Sequence, residues 1–195
     1  MIARGPRRIP SCPGAEGGYN VDMIRLEHVT ESWRGVRQDT VAAVEEFPES
    51  EFGFRATPEM QTFGEIARHI LTASQGLTAM VLAGESDFTG PDFRARLMKY
   101  LKPAPPEGDA QALAAALRDS LESELAELAA KPADFLAQEV TRMDGVKLTR
   151  LEMIQSIKEH EMTHRSQMFM YMRLKGIVPL TTRRRLARLA KQNAS

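Results

Sequence analysis

The chain has 195 residues, 43% of them apolar and 27% charged, which is enough for one ordinary core and points to one domain of ~150 residues with loose ends. No apolar run approaches the ~20 residues needed to span a bilayer, so a membrane-spanning helix is excluded. The net charge of zero hides basic ends, +2 over residues 1–21 and +8 from Met162 onward, on a body of −10.

Residues 1–21 hold Cys12 among prolines and glycines and are expected to form a disordered tail. The basic residues there have no apolar stretch behind them, so no secretory signal is expected and the protein is read as cytoplasmic, with Met23 as a second candidate start. Cys12 is the only cysteine, which excludes an internal disulfide. From an N-cap at Asp22 to about Glu46, Leu26, Val29, Trp33, Val36 and Val44 recur at helical spacing and define a first helix.

Thr62 and Glu65 have the spacing of a capping box, so a second helix starts near Phe63, with Ile66, His69, Ala73, Leu77 and Met80 on its inner side and Gly84 as its stop. Four prolines between Asp87 and Asp109 mark a long crossover with a short helix near Phe93 to Tyr100. A third helix follows from about Ala110, with a leucine stripe running from Leu113 to Leu128, and ends before Pro132. Asp144-Gly145 signals the turn of a small hairpin. Thr149 and Glu152 repeat the capping-box spacing and open a fourth helix to about Lys175, with Gly176 and Pro179 past its end.

Four amphipathic helices with little strand predict an all-α fold, an antiparallel four-helix bundle over residues 22–180 with a long crossover between helices two and three. Residues 181–195 read as a basic C-terminal tail. Without aromatic residues interleaved among its arginines, the tail argues against nucleic acid as a partner.

The chemistry concentrates in the fourth helix. Its expected inner stripe is Met153, Ile157, His160, His164, Gln167, Tyr171 and Leu174, so polar groups interrupt an apolar face. Histidines four apart lie ~40° apart around a helix and one turn along it, within reach of one ion. His69 has the same inward placement on helix two, whereas His28 falls well away from the stripe of helix one and is expected at the surface. His69, His160 and His164 are therefore the expected ligands of one divalent metal ion inside the bundle, with a coordination position left open.

The string HEMTH also matches the zinc-protease pattern H-E-x-x-H. Against that reading, Gln167 and Met170 stand where the extended metalloprotease motif needs glycine and histidine, and no Asp, Glu or His follows His164. Glu161, at the edge of the stripe, is a candidate proton acceptor or partner of a ligand, with a solvated surface charge as its plainer reading. Gln167, a turn beyond His164, is a candidate for orienting a ligand or substrate.

TFGEIARHI around His69 and HEMTHRSQMFMYMRLKG with Pro179 beyond it resemble the DinB-like superfamily over about residues 23–180. In that family a helix-two histidine joins an H-x-x-x-H-x-x-Q segment, an arginine and a Gly-x-x-Pro end. Here those positions are His160, His164, Gln167, Arg173, Gly176 and Pro179. The resemblance implies a four-helix bundle, a zinc, nickel or similar ion on three histidines, and a homodimer. It also implies a small-molecule substrate. Some members resemble thiol S-transferases that use bacillithiol or mycothiol, some are linked to mycothiol-dependent maleylpyruvate isomerisation, and others are described only as metal-dependent hydrolases. The expectation is thus a metal-dependent hydrolase or thiol transferase, set against a non-catalytic bundle that its ion merely stabilises.

Overall fold

Both capping boxes form. Thr62 accepts from the Glu65 amide at 3.1 Å while the Glu65 carboxylate takes the Thr62 amide at 2.6 Å, and Thr149 and Glu152 repeat the exchange. These pairs satisfy two of the free N–H groups at each helix start, which sets where the chain turns helical. In the computed structural model, which describes residues 25–193, the bundle helices are α1 (Leu26–Glu46), α2 (Phe63–Leu82), α4 (Ala110–Ala129) and α6 (Arg150–Leu174). Two short helices, α3 (Phe93–Met98) and α5 (Ala133–Ala137), sit in the connections, and α7 (Leu180–Asn193) follows the bundle. The expected tail 1–21 and the cap at Asp22 lie outside the described residues.

Helix α1 packs on α4 and α6, and α2 packs on the same two, so α1 and α2 face each other across the bundle. Tyr171, near the end of α6, donates to the Gln61 carbonyl just before α2, so those two helices are antiparallel. Helices α2 and α4 instead run the same way. Glu107, ahead of α4, touches Gly64 at the start of α2, and Lys131, past the end of α4, donates to the Leu82 carbonyl. A 20-residue helix is about 30 Å long, so a parallel neighbour needs a crossover that travels this distance back. Residues 83–109 make that return.

Two glycines let the crossover lie close on α2. A Cβ at Gly76 would stand 2.6 Å from Leu97 and 2.8 Å from Leu101, and one at Gly64 would stand 2.5 Å from the Glu107 carbonyl oxygen. Leucine tips can yield, but backbone at Glu107 cannot move without shifting the crossover. Gly64→Ala is therefore expected to destabilise the protein by about 1–3 kcal/mol, measured by urea denaturation, and an unchanged midpoint would show the crossover to be loosely held.

The hairpin pairs β1 (Glu139–Thr141) with β2 (Lys147–Thr149), and Gly145 turns it with φ +82°. Arg150 was not singled out in the sequence, yet it is buried and its guanidinium donates to the carbonyls of Val81, Gly84 and Glu85. It closes the C-terminal end of α2, whose last carbonyls lack helical partners. At the far end of α6, Ile177 donates to the Met172 carbonyl and Gly176, at φ +75°, takes the left-handed conformation that ends the helix.

The core forms two apolar halves. One holds Phe47, Phe52 and Phe63, with Phe47 and Phe63 stacked at 3.8 Å between centroids, and the other holds Trp33, Met80, Phe88 and Ile154. Between them lies a polar layer with one member from each bundle helix: Arg37, Ser74, Ser120 and Glu161, all buried. The leucine stripe of α4 is buried as expected.

Two expectations change. Leu174 was placed on the inner stripe but is 59% exposed, because the buried face of α6 runs through Ile154, Ile157, Glu161, Met168 and Met172 instead. The segment expected to be a solvated basic tail is helical over Leu180–Asn193. Arg183 reaches the Glu46 carboxylate at 2.6 and 3.0 Å and Arg184 reaches Asp39 at 2.9 Å, so the acidic outer side of α1 gives this basic segment a surface to dock on.

Candidate metal centre

Rotation of α6 by the packing just described puts its histidines at the side of the buried face, against α2. His69, His160 and His164 are each half-buried, and their ligand atoms all lie within 4.8 Å of one another. His160 Nε2 stands 3.3 Å from His69 Nε2 and 3.1 Å from His164 Nε2. The cluster thus occupies the seam between α2 and α6, not the bundle axis where the sequence placed it. The polar layer fills the axis.

The donor set fits a metal ion. A single ring nitrogen offers either one proton or one lone pair, so His160 Nε2 cannot serve two close nitrogen partners well by hydrogen bonding alone. Three nitrogens at ~2.0–2.1 Å from one ion in tetrahedral directions would stand about 3.3 Å apart, close to both separations seen here. On the outer side of His164, Nδ1 lies 2.8 Å from the Gln167 side-chain oxygen. A carbonyl oxygen accepts, so Nδ1 carries the proton and Nε2 presents its lone pair to the cluster. Burial, and after it the repulsion His164 would exert if both rings were protonated, lowers the pKa of His69. Burial, then His164 and His69, pulls His160 down to about 4. These two rings are therefore neutral at neutral pH, the form that binds metal.

Gln167 thus stands where it can fix the tautomer and orientation of His164. Gln167→Ala is expected to weaken divalent-metal affinity by about 10–100-fold with little effect on helicity, measured by competition with a chelating dye; unchanged affinity would remove Gln167 from the site.

Glu161 is not a solvated surface charge. It is 1% exposed and points to α1, where Arg37 donates from Nε at 2.8 Å and Nη2 at 2.9 Å, Trp33 from its indole nitrogen at 2.7 Å, and Thr40 from its hydroxyl at 2.8 Å. His160 and Glu161 are chain neighbours that face α2 and α1 respectively, so the pair ties the histidine seam to the polar layer. Arg37, Trp33 and Thr40 were not linked to the site in the sequence, although Arg37 and Thr40 follow Trp33 at helical spacing on the inner face of α1. His28 is exposed and bonds Arg25, as its angular position predicts.

Beside His69 the surface sinks into a depression of about 450 Å³ between α2, the loop before it and the crossover, lined also by Arg55, Glu65, Arg68, Thr72 and Leu101. Of the three histidines, His69 is the one that lines this depression.

A family model for the DinB superfamily matches residues 32–168, a span that takes in all three histidines and most of the four bundle helices. The chain belongs to the DinB superfamily. Solved DinB-like proteins share the fold: one from Bacillus subtilis is 19% identical, with TM-score 0.58 over 76% of this chain and 92% of its own. One from Bacillus cereus is also 19% identical, with TM-score 0.60 over 78% and 94%. A mycothiol-dependent maleylpyruvate isomerase is 16% identical, with TM-score 0.55 over 73% of this chain and 60% of its own. At these identities the likeness is one of fold. No curated protein matches the chain. Among the described residues no helix of this DinB-superfamily chain is long and apolar enough to cross a membrane.

Proposed function

We propose that the chain is a metal-dependent enzyme that transfers a low-molecular-weight thiol onto a small electrophile, with zinc or nickel held by His69, His160 and His164. The observation that carries this reading is the convergence of three imidazole nitrogens at a half-buried seam beside a depression. An ion that only stapled helices together would be better served by a closed, four-ligand shell. A divalent ion held by three neutral imidazoles would keep its +2 charge and so lower the pKa of a bound thiol or water toward neutrality.

The residues around the ion divide the remaining work. Gln167 orients His164. Glu161 acts as a positioning residue, fixing α6 against α1 through Arg37, because its oxygens already accept four bonds and it faces away from the seam. The depression beside His69 receives the substrate. Hydrolysis is the second reading, since the donor set serves it equally. Both branches must shed a proton, but a thiol is far more acidic than water and depends less on a protein base, which Glu161, engaged with α1, does not supply; this favours the thiol branch. The mycothiol-dependent isomerase among the structural relatives supports the same branch. A homodimer in the cytoplasm, where such thiols are reduced, completes the proposal.

The test loads purified protein with Zn²⁺ or Ni²⁺ and follows consumption of cysteine, bacillithiol or mycothiol against a panel of electrophiles across pH. Metal-dependent thiol loss is expected. No metal retained after dialysis, or no thiol activation at any pH, would overturn the reading.

A further inference from the structure

A second set of polar groups, on α2 and α4, has no role in the histidine site. Glu124 of α4 is 8% exposed, and among the described residues no donor reaches its carboxylate; Oε2 is shut away without any hydrogen bond. The side-chain oxygen of Gln75 on α2 is in the same state, and so is the hydroxyl of Thr78 one turn further on. Buried acceptors are normally paired, so several unpaired ones on facing helices call for an occupant.

Glu124 and Gln75 line one cavity of about 360 Å³ between α2 and α4, with Tyr100 and Lys102 from the crossover and Lys131 beyond α4 at its edge. That volume suits a small ligand. The crossover separates it from the depression at His69: Leu101 lines that depression, its neighbours Tyr100 and Lys102 line this cavity, and Leu97 and Leu101 sit on Gly76.

The wall chooses the ligand's chemistry. Above about pH 7 Glu124 is ionised and only accepts, and the free atom of Gln75 is its carbonyl oxygen, so the occupant must donate. An apolar or anionic group would leave both unsatisfied. A primary ammonium offers three N–H donors and a positive charge in direct contact, where Arg37 and Lys102 act on the carboxylate only from a distance. At the rim, Lys102 is exposed and makes no ion pair among the described residues, so it is available to an anionic group at the ligand's other end.

We propose that this cavity binds a small zwitterion, its ammonium on Glu124 and Gln75 and its carboxylate at Lys102. Burial lifts the Glu124 carboxyl to about 7, against the lowering influence of Arg37 from α1 and Lys102 from the crossover and with the raising influence of Glu161 from α6 and Glu127 on α4. An ammonium favours the ionised carboxylate, so binding expels a proton below that pH and affinity falls as the solution is acidified.

Calorimetric titration of the full chain with glycine, γ-aminobutyrate and 6-aminohexanoate tests the proposal, with butyrate and butylammonium as half-ligands. At least one amino acid is expected to bind, butylammonium more weakly and butyrate not at all. Glu124→Gln, an isosteric change, is expected to weaken the amino acid at least about tenfold, and Lys102→Ala to weaken it while leaving butylammonium unchanged. His160→Ala should leave both affinities as they are. The proposal is overturned if none of the three amino acids binds at 10 mM, if butyrate binds as well as they do, if Glu124→Gln binds them equally, or if His160→Ala abolishes binding, which would put the ligand at the histidines. Lys102→Ala, at an exposed position, keeps the test decisive should Glu124→Gln fold poorly.

Discussion

His160→Ala is expected to abolish retention of a divalent ion, lowering affinity by more than about a hundredfold, while the metal-free variant melts within a few degrees of the metal-free parent. The size of the first effect follows from geometry. His160 is the middle nitrogen of the cluster, within 3.3 Å of both others, and its loss leaves His69 and His164 as a two-ligand set. Loss of an outer partner alone typically costs 10–100-fold, and loss of a direct ligand costs more. The smallness of the second effect follows from burial. His160 is half-buried at the α2–α6 seam, and those helices are already joined by apolar packing and by Tyr171 on Gln61. A half-buried side chain removed from such a place costs about 1 kcal/mol, or about 2–4 °C in a domain of this size. Elemental analysis after dialysis reads the first effect and calorimetry with and without metal reads the second. The parent should gain stability from saturating metal and the variant should not. Collapse of the metal-free variant would instead make the histidines part of the scaffold.

The larger effect on stability is expected in the polar layer. Glu161→Ala strips Arg37 of its counter-ion and Trp33 of its acceptor, and leaves Thr40 only the Val36 carbonyl, inside a region where Arg37 is 2% exposed. Removal of one member of a buried pair leaves an uncompensated charge and costs about 3–5 kcal/mol. Replacing both members with apolar residues of similar size, as in Arg37→Met with Glu161→Leu, removes the charges together and is expected to recover most of that loss. Trp33 is the only tryptophan, and its indole nitrogen bonds Glu161, so its emission reports the layer directly during urea denaturation. A double variant no more stable than Glu161→Ala would mean that shape, not charge, governs this layer. The same pair bears on the histidines, because Glu161 adjoins His160: the single variant should loosen metal binding even under conditions where it stays folded.

Much of the architecture is written locally. Thr62 with Glu65 and Thr149 with Glu152 mark two helix starts because a capping box involves only four consecutive residues. The leucines of α4 mark its buried face because five of them recur at one period, and a leucine stripe has one stable place to go. Gly84 and Gly176, both at positive φ, mark two helix ends for an equally local reason. The mixed stripe of α6 is harder. Its polar members are spread over both sides of the apolar ones, so the inferred face is turned toward His164 and Leu174, whereas the buried face is centred on Ile157, Glu161 and Met168.

The amino-acid sequence alone therefore determines the four bundle helices, the crossover between α2 and α4, and a three-histidine set on α2 and α6 suited to an ion. Tertiary structure decides the rest: that the histidines meet at a seam and not on the axis, that Glu161 belongs to Arg37, and that Arg183 and Arg184 at the start of α7 pair with α1. The reason is physical. Periodicity gives a side chain an angle on its own helix, but whether that angle opens on solvent, metal or a buried guanidinium depends on which helix stands there, and that is fixed by non-local packing.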